Sequence, residues 1–176
     1  VSDLDRVAIT GHSTGGGTSS RTAAEDVIDA YITIAAGTPQ TVIQKPAAVF
    51  IAENDETVEP EWSYDLFEQL ENTLLVNIAN AGHNSFTDSC ARIYELGGLG
   101  MLEALIGAVR VAQGEDGCKE PAIRPELAHD VLNHYTVQFL TAQFIDPTAA
   151  GSLVDISDIV TPLTEFRIKG DPFAPS

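Results

Sequence analysis

Among the 176 residues, a serine in a glycine-flanked turn, Gly11-His12-Ser13-Thr14-Gly15, has the type and setting of a nucleophile. A serine hydroxyl attacks poorly unless it is lifted out of the packed interior and presented to a base. A sharp turn from strand to helix does this, at the expense of strained backbone angles and of room for neighbouring side chains. On that reasoning glycine is required at both 11 and 15, and the helix that follows aims its first amides at the site, where they favour developing negative charge. Such a serine needs a base and a group to orient the base. Asp55, in Glu53-Asn54-Asp55-Glu56, and His83, in Ala81-Gly82-His83-Asn84, have the right chemistry, and each sits just beyond an apolar run.

Other residues compete for these roles. Glu53 would lie on the strand itself, and Asp88 comes after the histidine. His12 reads as a packing residue inside the motif. His129 and His134, five apart, are badly spaced for two ligands on one helical face. The acidic run from Glu53 to Glu61 lacks a calcium-loop pattern and reads as a solvated loop. With two cysteines and no usual zinc spacing, no metal is expected.

The elements that must position these groups follow from the apolar runs. Strands are expected at Arg6–Thr10, Ala30–Ala35, Ala47–Ala52 and Thr73–Ala79, and helices at Thr14 to about Glu25 and at Pro60–Glu71, where Pro60 fits the first turn. Strands alternating with helices and apolar on both faces predict an α/β fold: a mostly parallel sheet with helices on both faces. Loops leaving the carboxyl ends of such strands share one edge of the sheet, so Ser13, Asp55 and His83 would gather there. After His83 a helical stretch is expected over Cys90–Gln113, a loop over Gly114–Pro125 and a long helix over Glu126–Phe144. This makes residues 87–125 a helical insertion in a single catalytic domain, and residues 151–176 a C-terminal extension with an edge strand or a surface tail.

Acidic residues number 26 against 9 basic, a net charge of −17, which disfavours nucleic acid and anionic membrane surfaces as partners. No run is long and apolar enough to span a bilayer. Cys90 and Cys118 would pair in an exported protein, secreted or periplasmic, and stay free in a reducing compartment. The sequence starts at Val1, without a signal-like segment, and its first strand follows almost at once. It therefore reads as the C-terminal part of a longer protein.

Gly-His-Ser-Thr-Gly-Gly-Gly, Glu-Asn-Asp-Glu-Thr-Val and Ala-Gly-His-Asn-Ser-Phe together resemble the α/β-hydrolase superfamily, and within it the dienelactone-hydrolase-like, platelet-activating-factor-acetylhydrolase-like and cutinase-like esterases. The resemblance covers residues 5 to about 86 well and the helix 126–145 loosely. It implies a carboxylic ester hydrolase with a small-molecule ester substrate and no cofactor. Ser13, Asp55 and His83 would be the triad, in the superfamily's chain order, and the amide of Thr14 one oxyanion donor. Where cutinase-like polyester hydrolases carry an aromatic residue, this chain reads Ala36-Gly37-Thr38-Pro39, which argues against polyesters. The superfamily's opening strands, and the loop giving the second oxyanion amide, would precede Val1. The missing segment, or another chain, would then pair with the first strand, and this span alone would be associated and feebly active. The same triad also serves peptidases and acyltransferases, and a silent scaffold could retain it. Turnover of simple esters against peptides separates the ester hydrolase from the first two, and labelling by a fluorophosphonate discriminates against the last.

Overall fold

The computed structural model describes residues 5–95, 97–107, 114–153 and 163–173. Its centre is a five-stranded sheet in the order β1-β2-β3-β4-β5. Strands β1 (Ala8–His12), β2 (Ala30–Ile34), β3 (Ala47–Ala52) and β4 (Thr73–Ile78) run parallel. The last strand, β5 (Leu163–Lys169), lies antiparallel on β4. This is the mostly parallel α/β sheet that the alternating runs predict.

Side chains alternate across it. Tyr31, Val49, Ile51 and Leu75 pack on one face with Ala23 at the end of α1 (Thr14–Thr22) and with Leu66, Phe67 and Leu70 of α2 (Pro60–Gln69) and its end. Ile32, Phe50, Leu74, Val76 and Ile78 pack on the other with Phe86 and with Val131, Tyr135 and Phe139 of the long helix Pro125–Phe144. All six residues of β3 and all six of β4 are buried, so these central strands form a rigid base for the loops at their carboxyl ends.

Several boundaries differ from expectation. β1 starts at Ala8 and continues through Gly11 and His12, because both pair with β2, at Thr33 and Ile34. α1 stops at Thr22, where Ala24 and Glu25 turn back onto the carbonyls of Arg21 and Thr22. In the stretch expected as one helix over Cys90–Gln113, the described residues form two, α3 (Ser89–Glu95) and α4 (Leu99–Ile106). Gly97 and Gly98, at φ 95° and 86°, separate them with angles that no right-handed helix contains. The long helix is thus α5, and Pro125 is its first residue. In the tail, the apolar patch Phe166–Ile168 belongs to β5, whereas the patch at residues 154–160 lies outside the described residues, as do 108–113. No helix of the described residues is long and apolar enough to cross a membrane.

Candidate active site

Ser13 stands between the last residue of β1 and the first of α1, at φ 57° and ψ −124°. Its amide donates to the Ile34 carbonyl at 2.8 Å, which ties the turn to β2. A non-glycine residue in this region costs about 1–3 kcal/mol, a strain that the surrounding packing must hold. That packing is tight on one side. A Cβ at Gly11 would come within 2.3 Å of the Gly15 carbonyl carbon. At position 15 the expectation fails: a Cβ there meets nothing within 4 Å. The second crowded glycine is Gly16, whose Cβ would lie 2.6 Å from Ala36 Cβ and 2.8 Å from the Gly11 carbonyl. The physical reason is that position 16, not 15, faces the sheet as α1 folds back over β1 and β2. Thr14 is the first residue of α1, and its amide has no carbonyl partner within the helix.

The other two groups are joined directly. His83 Nδ1 lies 2.9 Å from Asp55 Oδ2, and both residues are buried, at 6% and 9% exposure. A carboxylate only accepts, so Nδ1 carries a hydrogen, and in the neutral ring the lone pair that a base needs is then on Nε2. Asp55 is itself fixed, because its Oδ1 accepts the amides of Thr57 at 2.9 Å and Val58 at 2.7 Å. Glu53 is engaged elsewhere, accepting the Asn80 amide at 2.8 Å, and Asp88 is exposed ahead of α3.

His12 does more than pack. Its Nε2 lies 2.8 Å from the His83 carbonyl, and the two rings stand 4.6 Å apart. Since that carbonyl can only accept, His12 Nε2 carries the hydrogen. Burial pushes its pKa below the ordinary 6.5, and the neighbouring His83 ring adds to this, although the bond to the His83 carbonyl and the Asp55 charge oppose it. His12 therefore links the serine turn to the histidine loop. His129 and His134 sit on α5, and no three His, Cys, Asp or Glu side chains among the described residues gather as a metal site.

Ser13 opens onto a cleft of about 270 Å³ lined by Thr14, Gly17, Arg21, Thr38, Val58 and Trp62, among others. Trp62, from α2, is 46% exposed and lies over Gly37, where an added Cβ would come within 3.2 Å of the indole. The aromatic side chain of this cleft thus comes from α2. Hydrogen bonds from Thr38 Oγ1 to the Trp62 carbonyl and from Ser63 Oγ to the Ala36 carbonyl hold α2 in place. A larger cavity, about 400 Å³, borders Asp55 and Asp116 but reaches neither Ser13 nor His83.

Cys90 and Cys118 form a disulfide, with Cα atoms 4.8 Å apart. It ties α3 to the segment holding Asp116, a residue that the sequence motifs do not mark. The signal was indirect: with the bridge granted, Asp116 is two residues from one cysteine and His83 seven from the other.

No known protein-family profile matches this chain, and no curated protein does. Among solved structures, a ferulic acid esterase from Streptomyces cinnamoneus is similar, with a TM-score of 0.60 and 23% identity. The match covers 79% of this chain and only 40% of that one. The fold is an α/β fold resembling that of an esterase.

Proposed function

We propose that this chain carries the catalytic residues of a serine hydrolase acting on carboxylic esters. The observation that carries the reading is the buried Asp55–His83 pair, set at the same sheet edge as a serine held at positive φ. In this reading Ser13 Oγ attacks the ester carbonyl carbon while His83 Nε2 takes its proton. Asp55 keeps the imidazole in the Nδ1–H tautomer and stabilises the imidazolium. The Thr14 amide donates to the oxyanion, and one such donor is worth about 10²–10³ in rate. Collapse expels the alcohol, which receives the proton from His83. Water then attacks the acyl-enzyme with His83 again as base, releasing the acid and restoring Ser13.

The cleft wall of Trp62 and Val58 favours an apolar, flat acyl or alcohol group, and an aryl acid suits it. The similarity to a ferulic acid esterase supports the same class. No step needs a metal or an organic cofactor. The test uses aryl-acid esters, simple p-nitrophenyl esters and peptides as substrates, together with fluorophosphonate labelling. Ester turnover and labelling are expected in the wild type, with both lost in Ser13→Ala, to below about 1%. Peptide cleavage without ester cleavage, or full turnover in Ser13→Ala, would overturn the reading.

A further inference from the structure

We infer that Asp116 is a positioning residue for His83, acting through a closed ring of hydrogen bonds that locks the acid loop to the histidine loop. The inference rests on the reading of His83 as the base. Asp116 is 7% exposed, and its carboxylate receives three bonds. Oδ1 accepts the His83 amide at 3.0 Å. Oδ2 accepts the Glu56 amide at 2.9 Å and the Thr57 hydroxyl at 2.7 Å. The Asp116 carbonyl also accepts the Asn84 amide at 2.9 Å.

These bonds close a circuit. Asp116 holds the His83 backbone and the Thr57 side chain, the Thr57 amide holds Asp55, and Asp55 holds the His83 ring. The imidazole is thus fixed at its main chain by one carboxylate and at Nδ1 by another. Only the direction of Nε2 remains, and the ring sets it.

The chemistry explains why residue 116 is an acid. A carboxylate accepts on both oxygens, so it can serve two loops at once. An asparagine has one accepting atom, and its NH₂ would face donors on one side. A buried carboxylate is costly unless its oxygens are satisfied, and here the satisfying donors are those that shape the site. The local packing is built around it. A Cβ at Gly82 would fall 2.4 Å from Asp116 Oδ1, and one at Gly117, held at φ 84°, would fall 2.6 Å from Ser85 Oγ.

The experiment measures kcat and KM for an activated ester with Asp116→Asn in two backgrounds, wild type and His83→Ala. In the wild type the variant is expected to lower kcat by on the order of 10²-fold, the scale of a misplaced catalytic group. KM should stay within about twofold, since the cleft does not include residue 116. In His83→Ala the same substitution should leave the residual activity unchanged, because nothing remains for Asp116 to aim. Equal losses in both backgrounds, or a kcat close to wild type, would overturn the inference alone. Wild-type turnover in His83→Ala would overturn the proposed function first, and this inference with it. Should Asp116→Asn fail to fold, Thr57→Val opens the ring at one bond. It is then expected to lower kcat by a smaller factor, again only where His83 is present.

Discussion

The turn that carries Ser13 meets the His83 loop through His12, yet it and the loops that carry Asp55 and His83 are held in opposite ways. At the serine, close approach of backbone does the holding. Gly11 and Gly16 leave out the atoms that would collide, and one hydrogen bond ties the turn to β2. At the acid and the histidine, polar groups do it. Two carboxylates and a hydroxyl join segments 28 to 60 residues apart in sequence, and a disulfide lies beside them. The first device tolerates almost no added volume. The second tolerates almost no lost acceptor. Mutations that add volume and mutations that remove acceptors should therefore do their damage on different sides of the site.

The largest expected effect is on the polar side. Asp55→Asn should lower kcat by about 10⁴, the scale seen when a triad acid loses its charge and permits the wrong tautomer. Glu53→Gln should leave turnover near wild type, since its carboxylate accepts the Asn80 amide while Asp55 holds the His83 ring. Steady-state kinetics on one ester decides the pair, and a worse Glu53→Gln would mean that the acid has been misassigned.

On the packed side, Gly16→Ala should lower stability by about 1–3 kcal/mol, because its methyl group would press on Ala36 and on the Gly11 carbonyl. Gly15→Ala meets open space and, as a helical position, should gain up to about 1 kcal/mol. Thermal or urea unfolding of both variants tests this contrast. A Gly15→Ala protein as unstable as Gly16→Ala would show that the turn is not packed as described.

The contrast also accounts for what the sequence could reveal. The serine turn is local: a glycine-flanked serine between an apolar strand and a helix carries its own geometry in a few consecutive residues. Strands β2, β3 and β4 were readable to within a residue because each is a short apolar run ended by Gly, Pro or a polar turn. Even here one position departs from the motif: the close contact expected of Gly15 is made by Gly16. Which residue faces the sheet depends on how α1 lies over it, and five residues do not fix that. Asp55 and His83 stand out in the sequence because each follows a strand, and the structure pairs them. Asp116 follows none. Its partners are 33 and 60 residues away, and only the fold brings them together. The same holds for Trp62, whose place over Gly37 depends on where α2 docks.

The smallest expected effect lies on the contact between the two sides. His12 is neutral in the folded protein, with a pKa below the unfolded value, so the unfolded chain binds more protons in mild acid. Its contribution to stability is full above the ordinary 6.5 and is lost as pH falls through the lowered folded value. His12→Gln keeps a donor for the His83 carbonyl but removes the titration. Its melting temperature should therefore fall less than that of the wild type between about pH 7 and pH 5. Parallel curves for the two proteins would mean that His12 is not held neutral.

The bridge between Cys90 and Cys118 offers a timing device for the experimenter. Both cysteines are fully shielded, at 0% and 1% exposure, so a dissolved thiol cannot attack the disulfide until the segment opens. At reductant concentrations high enough for attack to outpace reclosing, the rate at which the bridge is severed in the native protein thus counts how often this segment opens. A ligand that quiets that segment would slow the count, and would do so without any substrate being turned over.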